Sequence, residues 1–214
     1  MSSNKFIPRG STLKHYSTIT VIICCFVFFC PQNHAAKLLV LGDSLSSSYG
    51  FEEQSGWVSL IADHFRPNHE IINASISGDT TGNGLFRLPQ LLNKFSPTHV
   101  LIELGANDGL RGYPLYIIEE NIEEMIEICR SKAAKPILFG MRIPGNYGTR
   151  YAEGFANIYT KIATKRGVDL LNFDFYEIAT TQSLIQSDGL HPTASAQPII
   201  KEKVQQFLTT TLGF

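Results

Sequence analysis

Residues 37–50 read KLLVLGDSLSSSYG. An aliphatic run, Leu38 to Leu41, stops at Gly42 and gives way to Asp43, Ser44 and a cluster of further serines, with a second glycine at Gly50. A short apolar run closed by a turn signal is the pattern of a strand buried on both faces. Four more runs of the same kind follow: HEIINASI (69–76), HVLIELG (99–105), KPILFGM (135–141) and VDLLNF (168–173).

Segments with helical spacing separate these runs. They are carried by Trp57, Leu60, Ile61 and Phe65; by Leu85, Leu88, Leu91, Leu92 and Phe95; by Ile118, Ile122, Met125, Ile126 and Cys129; and by Phe155, Ile158, Tyr159 and Ile162. AQPIIKEKVQQFLTTTL closes the chain as a last helix, with Pro192 expected to start it. Strand and helix in alternation predict an α/β domain: a parallel sheet of five strands with helices on both faces. Right-handed crossovers put every strand C-terminus on one edge, where such folds bind ligands. The segments delivered there are GDSLSSS, SISGDTTGNG, GANDGLRGYP and RIPGNYGTR, and SDGLHPTA precedes the last helix.

The domain is expected to span 37–214, behind a leader of a different character. Lys5, Arg9 and Lys14 precede the uncharged run ITVIICCFVFFC (Ile19 to Cys30), and PQNHAA follows. This is the layout of a secretory signal, with cleavage expected near Ala36. Its apolar run is shorter than the ~20 residues that a membrane-spanning helix needs. A periplasmic or secreted protein is therefore expected. Removing the leader leaves 15 basic against 19 acidic residues, so no nucleic-acid partner and no lasting attachment to anionic membranes is expected. Cys24, Cys25 and Cys30 leave with the leader. Cys129 alone remains, which excludes an intramolecular disulfide or a thiolate zinc site and reads as a core residue. A monomer is expected.

Among the edge segments, Ser44 is a candidate nucleophile, but a serine hydroxyl needs a base and donors for an oxyanion. The candidate base is His191 in DGLHP. Asp188, three residues earlier, has the spacing to accept from the imidazole Nδ1–H and turn Nε2 outward. Gly78 offers an unobstructed backbone N–H and Asn107 a side-chain amide, to join the N–H of Ser44. Each has a plainer reading: Gly78 as a positive-φ turn, Asn107 and Asp188 as caps or Asx turns. Ser46, Ser47 and Ser48 read as solvated first-turn residues of a helix after Ser44, and Asp43 as a turn residue beside the site.

GDSL (42–45), SGDTT with Gly78, GAND with Asn107 and DGLHP with Asp188 and His191 resemble, in order, the four sequence blocks of the GDSL or SGNH hydrolases. The resemblance runs from Leu38 to the last helix. It implies a flavodoxin-like three-layer α/β/α sandwich with Ser44 as nucleophile, His191 as base, Asp188 as its orienter and Ser44, Gly78 and Asn107 as oxyanion donors. It also implies no metal and no cofactor. The G-x-S-x-G elbow of the α/β-hydrolases does not surround Ser44.

An acyl substrate, ester or thioester, would need an apolar groove. Leu110, Tyr113, Pro114, Ile143, Pro144 and Tyr147 are the candidates, in glycine-bearing loops (109–118 and 142–151) free to move as a lid. Two other readings are an esterase that removes acetyl groups from carbohydrates, and a binding module that uses SGDTTGNG to cradle a phosphate.

Overall fold

The computed structural model describes Met1 and residues 35–214, so nearly all of the expected leader lies outside the described residues. Each of the five apolar runs forms a strand: β1 (Lys37–Gly42), β2 (Glu70–Asn73), β3 (His99–Glu103), β4 (Lys135–Gly140) and β5 (Asp169–Asn172). All neighbours are parallel and the order is β2-β1-β3-β4-β5. β2, β3, β4 and β5 end one to three residues before their apolar runs do, whereas β1 reaches Gly42. Past β2 the chain stays tied to β1, through Ala74 N–H to the Val40 carbonyl at 2.9 Å and Ile76 N–H to the Gly42 carbonyl at 3.1 Å.

Leu38–Leu41 of β1, Val100–Ile102 of β3 and Ile137–Phe139 of β4 are wholly buried. Helices on both faces of the sheet require this of its central strands. The connecting helices are α1 (Trp57–Phe65), α2 (Thr81–Phe95), α3 (Ala106–Leu110), α4 (Leu115–Ser131), α5 (Thr149–Arg166), α6 (Tyr176–Thr180) and α7 (Gln197–Phe207). α1 packs with α7, whereas α2 packs with α4 and α4 with α5. Cys129 lies fully buried on α4, and burial pushes its thiol up to about 12.

The chain runs outward from β1 to β2 and then returns past it to β3. The crossovers reverse at β1, so a crevice opens between its C-terminal end and that of β3.

Two expectations fail locally. The last helix begins at Gln197, behind a 3₁₀ turn at Ala194–Ala196, not at Pro192. Pro192 instead forms an antiparallel bridge with Ile185, and Pro198 takes the first-turn position that suits a residue without an N–H. The stretch after Ser44 is a series of turns, not a helix, and Ser46 and Ser48 within it are buried. Their hydroxyls have partners inside the protein: Glu103 Oε2 for Ser46 at 2.6 Å and the Glu53 carbonyl for Ser48 at 3.4 Å.

Candidate active site

The turn after β1 is fixed from several sides. Ser46 and Ser47 N–H both return to the Asp43 carbonyl, at 3.3 and 3.0 Å. Trp57 Nε1–H donates to the Leu45 carbonyl at 3.1 Å, and Asn73 Nδ2–H to the Ser46 carbonyl at 2.8 Å. These bonds leave the Ser44 side chain at the crevice, where it meets the loop before α7. Ser44 Oγ lies 2.9 Å from His191 Nε2, and His191 Nδ1 lies 2.7 Å from Asp188 Oδ2. A carboxylate beside Nδ1 selects the tautomer that donates there, which leaves Nε2 to accept from the serine hydroxyl.

Asp188 is itself held by its other oxygen, which accepts from the N–H of Leu190 at 2.9 Å and of His191 at 3.0 Å. The His191 N–H and imidazole, with the Leu190 N–H, keep its carboxyl down at about 2. Gln186 clasps this loop to the nucleophile turn. Its N–H meets the His191 carbonyl at 2.7 Å, and its side-chain amide reaches the carbonyls of Tyr49 and Pro192, each at 2.9 Å. The Tyr49 ring lies 4.4 Å from the imidazole.

Gly78 follows β2 at φ +83, and a Cβ there would touch nothing within 4 Å, so the backbone conformation and not crowding calls for glycine. Among the described residues the N–H groups of Ser44 and Gly78 have no partner within the protein. Asp79 anchors this loop: its carboxylate binds Arg87 Nε at 2.7 Å, and the same guanidinium bonds the Ala74 carbonyl.

Asn107 sits on α3, tied to the start of α2 because Asp108 accepts from Thr81 N–H at 2.8 Å and Thr81 Oγ–H at 2.6 Å. One Asn107 amide hydrogen goes to Asp43 Oδ2 at 2.9 Å and the other to the Asp79 carbonyl at 2.9 Å. Asp43 is buried, which pushes its carboxyl up to about 6.

Residues 40–197 match the profile of the GDSL-like Lipase/Acylhydrolase family. The chain belongs to this family. It is 44% identical to an arylesterase of Vibrio mimicus over 197 residues, covering 89% of this chain and 98% of the relative. It is 42% identical to thioesterase 1/protease 1/lysophospholipase L1 of Escherichia coli K12, over 78% of this chain and 81% of the relative. Among solved structures, the psychrotrophic esterase EstA of Pseudoalteromonas sp., inhibited by monoethylphosphonate, superposes with a TM-score of 0.81 at 40% identity, covering 84% of this chain and all of that one. This GDSL hydrolase is an enzyme acting on ester bonds, which removes the reading as a binding module.

A cavity of about 830 Å³ opens beside Ser44, Asn107 and His191 in the GDSL hydrolase. Leu110, Ile143 and Pro144 line it, whereas Tyr113, Pro114 and Tyr147 do not. Pro114 is spent as the residue that leads into α4, the Tyr113 carbonyl holds Tyr151 Oη–H at 2.6 Å, and Tyr147 projects from a 3₁₀ turn.

The cavity's apolar wall is extended by Phe173, Phe175, Tyr176, Ile178 and Ala179. Its signal was present in NFDFYEIA, the segment that follows β5 as the other edge segments follow their strands. Tyr49, Gln186 and Arg87 were likewise not singled out by the sequence reading. Their roles are contacts between distant segments.

Proposed function

We propose that this enzyme hydrolyses acyl esters and thioesters by two-step acyl transfer. The observation that carries this reading is the continuous relay Ser44 Oγ, His191 Nε2, His191 Nδ1, Asp188 Oδ2, with both contacts at hydrogen-bond length. Ser44 attacks the carbonyl carbon while His191 takes its proton, and the imidazolium returns that proton to the departing alcohol or thiol. Water, deprotonated by the same histidine, then releases the acid and restores the serine.

The unengaged N–H groups of Ser44 and Gly78 are the first two oxyanion donors. Asn107 supplies the third through the hydrogen that rests on the Asp79 carbonyl, which becomes shared with the oxyanion as charge develops. The acyl chain takes the apolar cavity beside Ser44. That lining favours a fatty acyl group over a sugar O-acetyl group, and it fits the activities named for the arylesterase and the thioesterase/lysophospholipase relatives.

A fluorophosphonate read by intact mass tests the nucleophile. One label on the wild-type protein and none on Ser44→Ala is expected, and a labelled Ser44→Ala would overturn the assignment. We further propose that residues 1–36 are an export leader and that the mature enzyme is monomeric, periplasmic or secreted. The basic start and apolar run support this, and among the described residues no helix is long and apolar enough to cross a membrane. N-terminal sequencing of the exported protein, expected to begin near Lys37, checks it.

A further inference from the structure

Glu103, the last residue of β3, is wholly buried beneath the nucleophile turn, where a leucine or methionine would fill the same space without a carboxyl group to desolvate. Its Oε2 accepts the Ser46 hydroxyl at 2.6 Å and the Asp43 N–H at 3.2 Å, so it grips the residues on both sides of Ser44. Among the described residues its Oε1 has no partner. An orphaned buried oxygen is costly for the fold and calls for another reason to be there.

The grip is close because residue 42 has no side chain. A Cβ on Gly42 would stand 2.4 Å from Glu103 Oε2 and 2.9 Å from Ser46 Cβ. Asp43 carries the contact onward, since its Oδ1 takes the Leu45 N–H at 3.1 Å and its Oδ2 takes Asn107 Nδ2–H.

We propose that Glu103 is a positioning residue of the hydrolysis, which sets Asp43 so that the Asp43 carboxylate holds the Asn107 amide in the orientation that serves the oxyanion. The inference rests on the reading of Asn107 as an oxyanion donor.

Two buried carboxyls side by side do not both ionise. Burial and the neighbouring Asp43 push Glu103 well above the usual carboxylate range. The proton stays on Glu103, and the charge falls to Asp43, which has an amide and a backbone N–H to receive it. The other charged or titratable groups facing the pair are Asp79 and Arg87 from the β2–α2 side, Tyr159 from α5, and His191 from the last loop. Arg87 spends its guanidinium on Asp79 and on backbone carbonyls, so among the described residues Glu103 has no ion-pair partner.

A double-mutant cycle on the full-length mature enzyme tests this. Glu103→Leu removes the acceptor and is expected to lower kcat by up to about tenfold, the upper scale of one neutral hydrogen bond, with KM unchanged. Glu103→Gln, a neutral acceptor of the same shape, is expected to recover most of that loss. In an Asn107→Ala background Glu103→Leu is expected to cost less than about twofold, because the group it positions is gone.

Losses that multiply in the double variant, or a Glu103→Leu enzyme with wild-type kcat, would overturn the proposal. Should Glu103→Leu fail to fold, Glu103→Met, which also removes the acceptor for the Asp43 N–H, carries the same cycle with the same two outcomes. Asn107→Ala alone tests the oxyanion reading: full turnover there removes that reading, whereas a large loss that multiplies with the Glu103 loss removes only this inference.

Discussion

Replacing Asp188 by asparagine changes one oxygen to an amide nitrogen and leaves the shape of the turn intact. The structure sets the two orientations the new amide can take. With its oxygen kept on the N–H groups of Leu190 and His191, now at 2.9 and 3.0 Å from the carboxylate, its NH₂ faces His191 Nδ1. The imidazole must then accept at Nδ1 and carry its proton on Nε2, where it no longer takes the Ser44 proton.

The flipped amide restores the working tautomer but sets NH₂ against those two backbone donors and forfeits both bonds. At about 0.5–1.5 kcal/mol each, the flip costs about 1–3 kcal/mol, which is a productive fraction of roughly one in five to one in 150. The fall in kcat should therefore be at least about fivefold, with roughly 10⁴-fold as the ceiling where the wrong tautomer dominates. The assay is p-nitrophenyl butyrate hydrolysis, with active sites counted by phosphonate and the melting temperature measured alongside. An Asp188→Asn enzyme with the wild-type melting temperature and a kcat within about twofold of wild type would refute the assignment of Asp188 as the histidine's orienter.

Asn107→Ala is expected to lose about 10²–10³-fold in kcat with the fold retained, checked by turnover and circular dichroism. Gly42→Ala places its methyl 2.4 Å from Glu103 Oε2, so the nucleophile turn must shift, and a loss of about 1–3 kcal/mol in urea unfolding is expected. Ala179→Phe puts a ring into the cavity wall and is expected to move the best p-nitrophenyl ester to a shorter acyl chain, with acetyl ester turnover retained.

Glu103 gives a pH-dependent signature. Its folded-state carboxyl titrates above the unfolded value of ~4.3, so the native state binds the extra proton and stability declines as pH rises from there toward the folded value. Glu103→Gln lacks that slope. Its melting temperature relative to wild type is expected to rise from pH 5 to pH 8, and a constant difference would refute it.

The sheet was readable because each strand is a short aliphatic run closed by Gly, Asn or Pro, and length with those flanking breakers identifies such runs. The Ser44, Asp188 and His191 contacts were readable through the ordered blocks, with Asp188 and His191 three residues apart in one turn. Glu103 was not. Within HVLIELG it is one acidic residue in a strand, and its meaning comes from contacts 57 and 60 residues away, which no local pattern records. Ser46 was misread for the same reason, since a serine beside other serines reads as solvated until its buried acceptor is seen. The short helices α3 and α6, five residues each, complete too few turns for an apolar stripe to declare them.

Ser44 and His191 stand 147 residues apart in the chain. On the mechanism proposed, a nascent polypeptide that has emerged only as far as its fifth strand presents an inert alcohol, because the imidazole has not yet emerged to meet it. Hydrolytic competence is thus withheld until the final segment threads into place. A covalent phosphonate applied during translation or refolding would report completion of the whole molecule, not of the half that carries the serine.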